Sequence, residues 1–296
     1  AVLEIGGASL VLTHDMIVEG VHFLPTDPAG DVAWKLVAVN LSDLAAKGAR
    51  PVGALLGYSL GAEPGWDAAF VAGLRLALGT FGLALLGGDT VAVPPGGARS
   101  FGLTLLGEAK GAVPSRSGAR PGDILWVSGS IGDAGAGLRT LRGEINGGEA
   151  LKERYRLPRP RLETGQKLAP LVSAMMDISD GLLIDAARMA EASGLAVTLK
   201  LENVPLSSDY IAAIGEGRRA RLDAATAGDD YELLFAAGED SVASIAALAE
   251  ELALSLTPVG RFGSGSGIAI TFHGEEEPLP ARLGYEHAGM PIDQAP

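Results

Sequence analysis

Short apolar runs bounded by turn residues alternate with segments of helical periodicity along the whole 296-residue chain, and that alternation leaves few architectures open. Runs at 9–13, 52–60, 83–86, 101–107, 124–128, 175–178, 196–201, 233–236, 259–262 and 268–272 read as strands. Helical spacing covers 31–47, 66–80, 133–142, 162–172, 182–192 and 241–252. Gly48, Gly143 and Gly194 stand just past three of these helices, where a left-handed cap is expected. The expected class is therefore α/β (α+β), with mixed sheets flanked by helices. No repeat unit is visible, which sets solenoids and propellers aside.

The length favours two domains over a single core. Between two strong strands, the stretch 110–123 carries Gly111, Pro114, Gly118, Pro121 and Gly122, so a boundary is expected there, giving domains 1–110 and 111–296. The basic, proline-containing stretch 151–160 reads as a second loop.

A net charge of -13 argues against nucleic acid or an anionic membrane as a partner, since both demand clustered Lys and Arg. The most apolar stretch, 68–88, is broken by Arg75 and four interior glycines and reads as a helix followed by a strand, not a membrane span. The chain has no cysteine, which removes disulfides, thiolate nucleophiles and Cys-based zinc sites, and fits a reducing cytoplasm. Its first residue is Ala1, not Met, so an upstream piece is expected to be missing.

Aspartates placed at element ends beside Gly, Ser or Thr stand out: Asp15, Asp43, Asp89, Asp177, Asp180 and Asp229. Hard divalent cations want carboxylate, carbonyl and water oxygens, and dispersed carboxylates gathered by a fold would supply them. Each has a plainer reading. Ser179 and Asp180 could cap the helix that follows. Asp43 could pair with Lys47 four residues on. Asp89 could be a turn residue, Asp15 could simply end a strand, and His22 could be a half-buried strand histidine. The Gly-rich segment 127–135 follows a strand and opens a helix, the setting for a backbone anion site. Its spacing is not that of a dinucleotide fingerprint, and a Walker A loop is absent, so any use of ATP must come through another architecture.

Taken together and in order, the motifs resemble those of the thiamine-monophosphate kinases. The resemblance runs through Thr13, Asp15-Met16 and Val18-Glu19-Gly20-Val21-His22-Phe23, then Asn40-Leu41-Ser42-Asp43 and Gly87-Gly88-Asp89-Thr90. It continues through Arg116-Ser117-Gly118, Asp177-Ile178-Ser179-Asp180-Gly181, Gly228-Asp229-Asp230-Tyr231-Glu232 and the closing Gly284-Tyr285-Glu286-His287. It implies a two-domain fold like that of aminoimidazole-ribonucleotide synthetase, a homodimer formed through the N-terminal domains, and nucleotide bound in a cleft between domain and neighbour. The implied reaction is phosphorylation of thiamine monophosphate by ATP with Mg2+. The resemblance assigns metal to His14, Asp15, Asp43, Asp89, Asp177 and Asp180. It assigns ATP to Gly88, Asp89, Arg116 and Ser179, and the thiamine-phosphate pocket to His22, Asp229 and Tyr285.

Three departures accompany it. A Gly-Asp-Asp-Ala segment that the family places before the equivalent of Ala1 is not in this sequence. His14 stands where a hydroxyl residue is usual, and Ala288 where Phe is common. The alternatives are another ATP-using enzyme of the superfamily, such as aminoimidazole-ribonucleotide synthetase, and a non-catalytic protein that binds the same ligands. Relatives that need a reactive Cys are excluded by its absence.

Overall fold

The structure, a computed structural model, describes residues 1–61, 63–94 and 96–286. His287 and Ala288 lie outside the described residues. The first part of the chain builds a five-stranded sheet from β1 (Val2–Ile5), β2 (Ala8–Val18), β3 (Ala49–Leu60), β4 (Ala84–Ala92) and β5 (Ser100–Ala109), in the order β1-β2-β5-β3-β4. Helix α1 (Ala29–Ala45) joins β2 to β3, and α2 (Pro64–Thr80) joins β3 to β4. Only β3 and β4 run parallel, as a helical crossover between them allows.

The remainder builds a seven-stranded sheet from β6 (Ile124–Ser128), β7 (Ala174–Asp177), β8 (Ala196–Lys200), β9 (Leu233–Ala237), β10 (Leu256–Gly263), β11 (Gly267–Phe272) and β12 (Glu275–Glu277), in the order β12-β11-β8-β10-β6-β9-β7. Its helices are α3 (Asp133–Leu141), α4 (Glu149–Arg156), α5 (Leu162–Leu168), α6 (Leu182–Ser193), α7 (Ser208–Ile214), α8 (Arg218–Thr226) and α9 (Val242–Leu252). Both sheets are mixed and flanked by helices, as the alternation of elements predicts. Gly48, Gly143 and Gly194 all have the left-handed backbone expected of them, with φ of 61°, 73° and 67°.

Several elements depart from the sequence reading. The stretch 151–160 is not a loop throughout, because α4 occupies 149–156 and buries Leu151 and Tyr155. Strands β1 and β12 and helices α7 and α8 are additional. β1 is exposed at every residue, and its hairpin turns on Gly6 and Gly7 at φ 60° and 82°, the left-handed pair that a two-residue turn requires. Asp89 lies inside β4 and not in a turn.

Helix α1 is the element that positions the site. One side packs Leu36, Val37, Leu41 and Leu44 into a core with Phe101, Leu103 and Leu105 of β5. Its C-terminal end, Ala45 and Ala46, packs instead with Leu168 of α5, Met175 of β7 and Phe235 of β9. A helix apolar nearly all round is one buried on every side. The approach to α5 is close enough that a Cβ on Gly165 would meet the Ala45 carbonyl oxygen at 1.9 Å. Lys35, Asn40 and Ser42 are consequently buried along with the apolar residues, and buried polar groups need partners.

Candidate active site between the two sheets

A cavity of about 750 Å³ opens where β2, α1, the end of β7 and the loop before β9 meet. Strand alternation sorts the residues of β2 by side. Val11, Thr13, Asp15 and Ile17 lie on one side of β2, Val11 and Ile17 in the core, while His14 and Met16 are exposed on the other; Asp15, Ile17 and Met16 border the cavity. The Asp15 N–H donates to Asn40 Oδ1 at 2.9 Å, which fixes β2 against α1. One turn along α1, Asp43 accepts a hydrogen bond from the Thr13 hydroxyl. Lys47 is not its ion-pair partner, for its ammonium donates to the Pro114 carbonyl at 3.1 Å.

Asp177 ends β7, and Ser179 and Asp180 follow in the loop before α6. Neither of the latter caps that helix: its N-cap is Gly181, with no side-chain cap bond. The Asp185 carboxylate instead accepts the N–H groups of Ser179, Asp180 and Gly181 at 3.2, 3.1 and 3.2 Å, leaving Asp180 at the cavity. The loop is held from two more sides. The Asp229 N–H donates to the Ser179 carbonyl and the Tyr285 N–H to the Asp180 carbonyl, each at 2.8 Å. Gly228 permits the first contact, since a Cβ there would stand 2.7 Å from that Ser179 oxygen.

The Gly228–Glu232 motif divides its acids among three tasks. Asp229 faces the cavity. Asp230 turns to the start of α3 and accepts the N–H groups of Gly132 at 2.7 Å and Ala134 at 3.3 Å. The anion site foreseen at 127–135 is thus filled by the protein's own carboxylate, at the position where a helix N-terminus favours negative charge. Glu232, 1% exposed, takes a two-bond grip from Arg161 at 2.7 and 2.5 Å and further bonds from Arg154 and Ser128.

Asp15, Asp43, Asp177, Asp180, Ser179, His22, Asp229 and Tyr285 all line the one cavity. His22 sits in the turn after β2, not in a strand, and its Nδ1 accepts the Val18 N–H at 3.0 Å. Gly88 and Asp89, in β4, and Arg116, in the loop joining the two sheets, lie outside the lining. The β4 register pairs Asp89 with Gly57, Gly57 with Gly102 and Gly102 with Met16, so Asp89 shares the outer face with Met16 and His14. The lining residues that sequence reasoning missed include Tyr155 and Tyr231. Tyr155 fell in a segment read as loop. Behind the lining, Lys35 was legible only as a polar interruption of an apolar helix, and Asn40 only as a member of the Asn40-Leu41-Ser42-Asp43 motif, with no role attached.

Asp180 has Arg188 beside it and Asp229 has Lys35, whereas Asp15 and Asp177 have no ion-pair partner among the described residues. Burial, then the charges of Asp43 and Asp180, push Asp15 up to about 7. Burial, then Asp43, raises Asp177. Ser42 Oγ is buried with no partner in hydrogen-bonding geometry, although it lies close enough to Asp177 to favour its ionised form. Among the described residues no three His, Asp or Glu side chains already stand in metal-holding geometry. Magnesium commonly takes one or two carboxylates and fills its octahedron with water and substrate phosphates. An all-oxygen set on an open cavity fits such an ion.

Residues 1–109 match the AIR synthase related protein N-terminal domain, and residues 120–273 match the C-terminal domain. A thiamine-monophosphate kinase of Caulobacter vibrioides is 38% identical over 288 residues, 95% of this chain and 81% of that protein. The crystal structure of thiamine-monophosphate kinase from Stenotrophomonas maltophilia K279a superposes with a TM-score of 0.83 at 38% identity, covering 92% of this chain and 87% of the other. The complex of AaThiL with AMPPCP and TMP gives a TM-score of 0.83 at 30% identity, covering 97% of this chain and 90% of that one.

Proposed function

The chain belongs to the thiamine-monophosphate kinases within the AIR synthase related proteins, and from that premise we propose that the cavity between its two sheets is where the γ-phosphoryl group of ATP passes to thiamine monophosphate. The reaction is ATP-dependent phosphorylation of thiamine monophosphate to thiamine diphosphate. The observation that carries the site assignment is the convergence of Asp15, Asp43, Asp177 and Asp180, from β2, α1, β7 and the loop after it, on one cavity.

The acceptor is a phosphate monoester whose oxygens are already anionic near neutral pH, so attack needs no residue to remove a proton. What the protein must supply is alignment and relief of repulsion between two phosphate-bearing anions. Asp15, Asp43, Asp177 and Asp180 are the residues that would hold Mg2+. Held there, Mg2+ would supply positive charge to offset the repulsion between the phosphate groups. Asp185 and Asn40 keep two of these carboxylates oriented, through the backbone at Asp180 and at Asp15. Ser179 faces the nucleotide, while His22, Asp229 and Tyr285 form the wall for thiamine monophosphate.

His14, Gly88, Asp89 and Arg116 belong to the same reading through a second copy of the chain. The outer face carrying His14 and Asp89 also exposes Met16, Leu55 and Val91, at 52, 50 and 60%. Large apolar side chains gathered on one sheet face suit a covered surface. That supports a homodimer in which the nucleotide lies where this face and its neighbour meet, with domains 1–110 and 111–296 as the working units. Among the described residues no helix is long and apolar enough to cross a membrane. We place the enzyme in the cytoplasm, with neither nucleic acid nor membrane as a partner, on the basis of the acidic, cysteine-free composition.

The test is to incubate the protein with ATP, Mg2+ and thiamine monophosphate and to look for thiamine diphosphate. Formation of thiamine diphosphate with equimolar ADP supports the assignment. Ligand binding without product would instead support the non-catalytic binding protein.

A further inference from the structure

Lys35 is a buried charged group that phosphoryl transfer, as derived above, leaves without a task. A lysine in mid-helix ordinarily keeps its ammonium in water. Here α1 is covered on both sides and only 2% of the Lys35 side chain is exposed. Its Nζ donates to the His22 carbonyl at 2.9 Å and to Asp229 Oδ2 at 2.9 Å, and it stands 3.8 Å from the centroid of the Tyr155 ring. An ammonium has three N–H groups, so two go to oxygens and the third side meets an aromatic face.

The three partners come from three separate segments: the turn after β2, helix α4 and the loop before β9. All three residues line the cavity, and Lys35 stands behind them. The loop segment is held in an unfavourable shape. Asp229 and Tyr231 both have positive φ, 70° and 51°, which residues with a Cβ adopt only where surrounding contacts impose it. The Tyr231 hydroxyl donates to Asp229 Oδ1 at 3.1 Å, so each carboxylate oxygen of Asp229 is held by a different side chain. The Tyr155 hydroxyl reaches the same His22 carbonyl at 3.3 Å. One ammonium therefore ties His22 and Asp229 of the wall assigned to thiamine monophosphate to the Tyr155 ring, without itself lining the cavity.

We propose that Lys35 is a positioning residue for thiamine monophosphate, fixing Asp229, the His22 turn and the Tyr155 ring in one geometry against which the substrate docks. This rests on the reading of the cavity as a thiamine-monophosphate site. It sets the Lys35 contacts apart from the nucleotide side, where Ser179 and Asp180 are oriented by Asp185. A residue that only supported the fold would affect both substrates alike.

The test varies thiamine monophosphate and ATP separately in steady-state assays of the wild type, of Lys35→Met, which keeps the length of the side chain, of Asp229→Asn, and of the two substitutions combined. The expected result is a KM for thiamine monophosphate raised at least about tenfold in Lys35→Met, with the KM for ATP within about twofold. The loss in the double variant should fall short of the product of the two single losses, because the lysine acts in part through Asp229. If Lys35→Met leaves the half-buried Asp229 without a counter-charge and fails to fold, the double variant, in which both charges are gone, is compared with Asp229→Asn and should show the higher KM for thiamine monophosphate. Equal changes in both KM values, or losses that add in the double variant, would overturn the role of Lys35. Absence of thiamine diphosphate with the wild type would overturn the site reading itself, a separate result.

Discussion

The guanidinium of Arg188 bridges Asp180 and Asp185, reaching the first at 2.5 Å and the second at 2.9 Å. Asp185 is fully buried and is pushed up to about 6, chiefly by that burial. A displacement of about two units corresponds to about 3 kcal/mol against the ionised form, an order-of-magnitude figure. Asp185→Asn removes this penalty but also the ion pair with Arg188, so its stability near neutral pH is expected to change little. Turnover should fall about tenfold or more, because Arg188 is then left to Asp180 alone and draws that carboxylate away from the metal. Urea unfolding and thiamine diphosphate formation, measured on one preparation, check both halves. Lost stability with full activity would reject the account.

Asp15 and Asp177 are both raised by burial and by neighbouring carboxylates. An acid whose pKa is higher in the folded state than in the unfolded chain lends stability that is complete below its unfolded value, about 4, and lost as pH rises through its folded value. In metal-free buffer the melting temperature should therefore decline from pH 4 towards pH 7. Added Mg2+ should raise it more at pH 7.5 than at pH 5, since metal and proton compete for the same oxygens. Thermal melts at the two pH values with and without Mg2+ test this, and an equal metal effect at both would count against it.

Gly165 of α5 faces the Ala45 carbonyl so closely that a methyl group has no room. Alanine gains about 1 kcal/mol of helix propensity over glycine. The overlap costs about 1 to 3 kcal/mol when a packed interface must shift. Overpacking wins, and Gly165→Ala should be less stable by about 1 kcal/mol, as read by chemical denaturation.

The alternation of elements was legible because apolar periodicity is a local property, and all ten expected strands are present, although β4 runs on to Ala92 where the pattern ended it at 86. Helix α4 was not, because its charged, proline-flanked sequence holds only two inward residues, Leu151 and Tyr155. Strand β1 escaped because it is short and exposed, although its Gly-Gly turn is the sign of a hairpin. The carboxylates were visible as Asp beside small residues, but the division of Asp229, Asp230 and Glu232 among three sites was not. Only the meeting of the loop before β9 with the start of α3, with α4 and with the segment before α5 decides which acid points where. Asp89 shows the same limit: strand register sets the face, and register is a tertiary fact.

Tyr285 lines the cavity, with 46% of the residue exposed, and its N–H is anchored to the Asp180 carbonyl. An aromatic face against the cationic thiazolium of thiamine monophosphate contributes about 1 to 2 kcal/mol where water is excluded. Tyr285→Ala should raise the KM for thiamine monophosphate about tenfold and leave that for ATP nearly unchanged. Parallel saturation curves for the two substrates read the difference, and equal shifts would make Tyr285 a support for the fold.

The most direct measurement is the Mg2+ dependence of thiamine diphosphate formation by the wild type, Asp43→Asn and Asp177→Asn. Each substitution keeps the shape of the side chain and removes one charge from the cluster on the cavity. Loss of several kcal/mol of charge stabilisation means a rate lower by about a hundredfold or more. The account predicts that loss in both variants, with circular dichroism unchanged and a midpoint for Mg2+ shifted to higher concentration. Wild-type rates and an unshifted Mg2+ midpoint in both variants would contradict it.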